Sequence, residues 1–150
     1  MSEANRIKRQ LETAFQGPAW HGPPLMENVR GVSEEAARAK PVAGAHSIWE
    51  IVNHVAAWYD EAIAVIGGKP YVTLKGDADW PPVNGAWVDA VARLEAAHAR
   101  LIEKLAGLAD EQLKETIPDR EWPLRVLLRG IAEHNLYHAG QIGLLKRAAE

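Results

Sequence analysis

The chain contains no cysteine among its 150 residues. That excludes a disulfide framework, a thiolate zinc knuckle and a cysteine nucleophile, so a transition-metal site must be built from imidazole and carboxylate. It also lacks any excess of positive charge: the net charge is −3 and the pI about 6.1. Duplex affinity rests on a basic face that neutralises phosphates, so nucleic acid is not an expected partner. No run approaches the roughly 20 apolar residues of a membrane span, and MSEANRIKRQLETAF has no apolar core of a secretory signal. A cytoplasmic protein of one domain, spanning residues 1–150, is the expectation. Alternating strand patterns, internal repeats and low-complexity tracts are also missing.

What is present is helical periodicity, punctuated by proline and glycine. A first long helix is expected from about Ser2 to Gln16, with Ile7, Leu11, Ala14 and Phe15 on one stripe and Gly17-Pro18 as its stop. A long irregular connector follows, holding one short helical piece after the N-cap signal Ser33. A second helix opens at Ser47, with Glu50 at capping-box spacing, and runs through Ile51, Val55, Trp58 and Ala62 to Gly67-Gly68. The third begins near Asn84 and carries Trp87, Val91, Leu94, His98, Leu101, Leu105 and Leu108 at steps of four and three. The fourth starts around Pro123, at N1, and continues to the C-terminus. An all-α four-helix bundle with a long crossover between helices one and two accommodates this order.

Three histidines lie on the stripes that must face the core. His134 and His138 are spaced i, i+4, so both imidazoles leave one face of the fourth helix; they share their seam with Leu127, Ile131, Gln141 and Leu145. His54 lies between Ile51 and Trp58 on the second helix. Polar rings on a core seam need partners, and three neutral imidazoles from facing helices are the ligand set of a divalent metal with an open coordination position. Asn135 stands where HExxH metalloproteases carry their general-base glutamate, which excludes that chemistry. His98 also faces inward and reads as a buried histidine with its own hydrogen-bond partner rather than a fourth ligand. His21 and His46 fall in connectors, His46 close enough to helix two to reach the mouth of the site.

Around the triad, Glu50 lies one turn before His54 and is the nearest candidate for a general base. Glu133 adjoins His134 but points about 100° away and reads as a solvated charge. Gln141, one turn beyond His138, is suited to a hydrogen bond in the pocket. Among six tryptophans, Trp49, Trp58 and Trp87 suit core or interface packing, and Trp20 and Trp122 suit anchoring of connectors. Trp80, in DADWPPV, is placed to wall the pocket. The apolar surface of Trp58, Trp87 and the leucines exceeds what one bundle interior needs, which suggests a homodimer.

The runs GAHSIWEIVNHVAAWYD, DADWPPVNGAW and RVLLRGIAEHNLYHAGQIGLLKR, in that order, resemble the DinB-like (damage-inducible) superfamily of small metal-binding four-helix bundles. The resemblance spans nearly the whole chain. It implies up-down-down-up connectivity, ligation by His54, His134 and His138, a divalent ion such as zinc or nickel, and dimerisation. Related sequences often have aspartate where this chain has Asn135, so a role of that side chain behind a ligand would be a neutral hydrogen bond. Two chemistries on a small-molecule substrate fit an open three-histidine site: hydrolysis by metal-activated water, or transfer using a low-molecular-weight thiol, as in the thiol-dependent transferases similar to this family. The alternative is a metal-binding or stress-response protein in which the ion is structural or sensory. An open path from solvent to the histidines would favour chemistry and a sealed site would favour structure.

Overall fold

Four long helices are built where the apolar stripes are longest, and the computed structural model describes them with their connections over residues 1–150. They are α1 (Glu3–Gln16), α4 (Ile48–Ile66), α5 (Trp87–Ala106) and α7 (Leu124–Ala148), with single-turn or two-turn pieces α2 (Leu25–Val29), α3 (Glu34–Arg38) and α6 (Asp110–Lys114) between them. The protein is all-α. α1 packs against α5 and α7, and α4 packs against the same two helices from the opposite corner. Ile7, Leu11, Leu94, Leu101 and Leu128 are fully enclosed there, each worth about 1.5–3 kcal/mol relative to exposure in water.

Cross-helix contacts fix relative direction. Trp49 lies against Trp87, and Asp60 accepts from Arg100, so α4 and α5 run the same way. Glu3 pairs with Arg129, joining the starts of α1 and α7. Asp110, just past α5, accepts from the Glu3 and Ala4 N–H groups at 2.9 and 3.0 Å, so α5 ends where α1 begins. His54 touches His138, and Trp58, one turn later, touches His134; α4 and α7 are therefore antiparallel.

Local signals explain most boundaries. Ser2 caps α1, and Gly17 ends it at φ 78°, where an added Cβ would meet Pro24 at 3.2 Å. α4 opens on the full capping box: the Ser47 N–H donates to Glu50 at 2.7 Å and the Glu50 N–H donates to Ser47 at 3.2 Å. α5 starts at Trp87, three residues after the expected Asn84, because its first N–H donates to Glu34 and its indole to the Val32 carbonyl. It stops at Ala106, so Leu108 lies beyond it. Pro123 is the N-cap of α7 rather than its first helical residue. The additional helix α2 buries Leu25, Met26 and Val29, and Asn28 donates to the Ala139 carbonyl of α7 at 3.1 Å. Trp20 is fully exposed and anchors nothing.

Candidate metal centre

His54 leaves α4 and His134 and His138 leave α7 so that one ligand atom from each falls within 4.8 Å of the others. The converging atoms are the three Nε2 nitrogens. His134 Nε2 lies 2.9 Å from that of His54 and 3.0 Å from that of His138. His54 and His138 are buried, and His134 is partly so.

The opposite ring nitrogens decide what the Nε2 atoms can do. Nδ1 of His54 donates to the backbone carbonyl of Asp79 at 2.7 Å, with an Asp79 carboxylate oxygen 3.1 Å away. Nδ1 of His138 donates to the side-chain oxygen of Gln141 at 2.6 Å. A neutral imidazole carries one proton, so both rings hold it on Nδ1 and present a bare lone pair at Nε2. His134 could direct a proton towards only one of them. At least one pair of lone pairs is thus left facing across about 3 Å, and a cation is the group that fits there. The donor set of three imidazoles suits zinc, nickel and copper rather than magnesium or calcium. The residues present can hold a metal ion.

Burial keeps the rings neutral, as ligation requires. It lowers the pKa of His54, with the Asp79 carbonyl and carboxylate pulling the other way. It lowers His138 to about 4 against the opposing bond from Gln141, and His134 to about 3 with help from the two neighbouring histidines.

The connector between α4 and α5 closes one side. Asn53 donates to the Pro81 and Pro82 carbonyls, holding that segment against α4 one residue before the ligand-bearing position. Trp80 then stacks on His54, rings 3.9 Å apart and 9° from parallel, and His46 stacks on the outer face of Trp80 at 3.4 Å. Trp80 and Gln141 occupy the places expected of them, and His46 stands at the mouth. Trp58 donates its indole N–H to the Asp79 carboxylate at 2.9 Å, which fixes that carboxylate behind His54.

Four expectations require correction. Glu50 is no base for this site: its carboxylate is taken by the Ser47 N–H and by Lys40 at 2.9 Å, because the capping box turns it back towards the start of α4. The carboxylate that does stand by a histidine is Asp79, from the connector. Asn135 does not support a ligand; it is enclosed in the core and accepts from the Tyr59 hydroxyl at 2.9 Å. Trp87 is buried against Trp49, so it offers no surface for a partner. His98, as expected, is a core residue. It stacks on Phe15 at 3.7 Å, bonds the Leu11 backbone, and lies apart from the metal-binding group, although its Nε2 has no partner. Glu133 is exposed.

Two clefts reach the histidines. One, about 310 Å³, is bounded by His138, Gln141, His46 and Trp80; the other, about 370 Å³, touches His54 and His134 between Trp58 and Trp122. No helix is long and apolar enough to cross a membrane. A family model described as the DinB superfamily matches residues 24–142. No curated protein and no solved structure gives a match.

Proposed function

Since the chain belongs to the DinB superfamily, we propose that it holds one divalent metal ion, zinc or nickel, on Nε2 of His54, His134 and His138 and acts on a small molecule there. The observation that carries this reading is the pair of Nδ1 protons committed to Asp79 and Gln141, which leaves the facing nitrogens as acceptors only. A bound ion would supply Lewis acidity and activate a water or thiol nucleophile at neutral pH. The chain's own part is orientation: Asp79 and Gln141 fix two rings, and Trp80 covers the face of His54. Two clefts open on the histidines, which favours chemistry over a sealed structural ion. No carboxylate faces the Nε2 side, since Glu50 caps α4 and Asp79 stands behind His54. Proton transfer there therefore has to rely on the nucleophile or on an imidazole such as His46.

Titration calorimetry of chelator-treated protein with zinc and with nickel tests the reading. One ion per chain is expected, with tight binding lost in His138→Ala because two imidazoles hold a labile ion far less well than three. Equal affinity in the variant would place the ion elsewhere.

A further inference from the structure

The two clefts differ in charge. Neither carries a lysine or arginine. The cleft beyond Trp58 includes Asp79, whereas the cleft beside His138 has no carboxylate either; its polar groups are His46, Tyr137, His138 and Gln141. A charged molecule entering the latter would give up its hydration and find no counter-charge, which opposes its binding. The mouth of this cleft also gathers exposed apolar side chains from separate segments: Val42 at 47% exposure, Tyr137 at 64% and Leu144 at 69%. Apolar groups collected around a concavity, with a few convergent polar atoms at its floor, are the composition of a small-molecule site. A volume of about 310 Å³ is at the small end of such sites, which run from about 300 to 1,000 Å³. At the floor, Gln141 commits its oxygen to His138. Its amide nitrogen remains a donor, suited to an acceptor such as a carbonyl oxygen.

On the reading that the three histidines hold a metal, we propose that the cleft beside His138 is the substrate side of the centre and that the substrate is an uncharged, mostly apolar small molecule bearing a carbonyl-type acceptor. The charge of the cleft sets the selection, because anionic and cationic analogues of the same shape meet the same walls without compensation. Tyr137 and Leu144 form the rim, and Trp80 and His46 form the opposite wall.

Benzamide, benzoate and benzamidine share one shape and differ in charge, so they isolate this term. Their binding to the full chain, treated with chelator, is followed by NMR at the Trp80 indole N–H and the Gln141 side-chain amide. Benzamide is expected to bind about tenfold more tightly than either ion and to move these signals rather than those of Trp58 and Trp122. Leu144→Lys, at an exposed position that the fold does not need, is expected to bring benzoate level with benzamide or above it. Val126→Lys, in the other cleft, is expected to change nothing. Benzoate or benzamidine binding as tightly as benzamide overturns the proposal, as does an absence of binding at millimolar concentration or a response confined to the Trp58 side. Signals that shift on dilution of the protein alone also overturn it, since the cleft would then be filled by a second copy of the chain. Zinc titration of the same samples reports on the metal separately: its failure removes the ion and leaves the charge selection of the cleft standing or falling on the ligand series.

Discussion

At the scale of single residues, the proton on Nδ1 of His54 determines which atom a metal can reach, and Asp79 holds that proton with its carbonyl at 2.7 Å and its carboxylate at 3.1 Å. Asp79→Asn keeps the carbonyl and the bond from Trp58 but removes the charge, so metal affinity is expected to fall by about tenfold, the lower end of the usual 10–100-fold for such partners. Calorimetry against the wild type measures it; unchanged affinity would assign Asp79 to loop anchoring alone. The triad itself was legible because histidine on an apolar seam stands out against leucine and isoleucine. Asp79 was not, since a connector carboxylate separated from His54 by 25 residues carries no periodic signal. Glu50 misled for the converse reason: its spacing from Ser47 and its nearness to His54 are both genuine, and the capping box won the side chain. His98 gives a further test. Burial lowers its pKa to about 4 from 6.5, so the unfolded chain binds more protons below pH 6.5 and the contribution of this residue, complete above that value, is lost as pH falls towards 4. In metal-free protein, urea unfolding should show the wild type losing about 1–2 kcal/mol more than His98→Phe between pH 7 and pH 5. His98→Phe should also keep metal affinity within about tenfold, as expected of a residue outside the ligand set. Identical pH dependence in the two proteins would mean that His98 is protonated as readily in the fold as in water.

Single elements were readable where the signals are local and strong. The stripes of α1, α4 and α7 and the capping box of α4 are written in residues three and four apart, and the helices follow them. α5 begins late because its first turn is fixed by Glu34 and Val32, which lie more than fifty residues away in sequence. α2 escapes periodicity because five residues do not complete two turns; it is held by burial of Leu25 and Met26 and by the bond from Asn28 to α7. Since α4 delivers His54, its cap also bears on the site. Ser47→Ala removes the side-chain acceptor of the Glu50 N–H and is expected to lower unfolding free energy by about 1 kcal/mol, the usual cost of a lost N-cap. Denaturant midpoints at constant slope measure that loss. Metal affinity should move little, because His54 lies two turns inside the helix and is positioned by Asp79. A large loss of affinity would show that the start of α4 frays as far as the ligand.

For the whole molecule, the argument turns on which helices the ion joins. α4 and α7 are antiparallel neighbours, and His54 and His134 are separated by 80 residues. Between them the chain runs through the Trp80 connector and α5. The apolar surplus that suggested a homodimer is spent largely within one chain, with Trp87 against Trp49 and Trp58 against Asp79. An ion across α4 and α7 would tie the two elements that carry both clefts, and it would bind the native state alone, because the unfolded chain does not bring the three rings together. Stabilisation then follows mass action, about 2.7 kcal/mol when free metal is a hundredfold above Kd. For a domain of this length that corresponds to a rise in Tm of about 5–10 °C. Melting curves of chelator-treated protein with increasing zinc should show Tm climbing with the logarithm of free metal, and His138→Ala should flatten the dependence. His98→Phe should retain it at a different baseline Tm, since loss of core packing and loss of a ligand are separate effects. A Tm that rises equally in His138→Ala would locate the stabilising ion outside the triad, and with it would go the reason for assigning the chemistry to the space between α4 and α7.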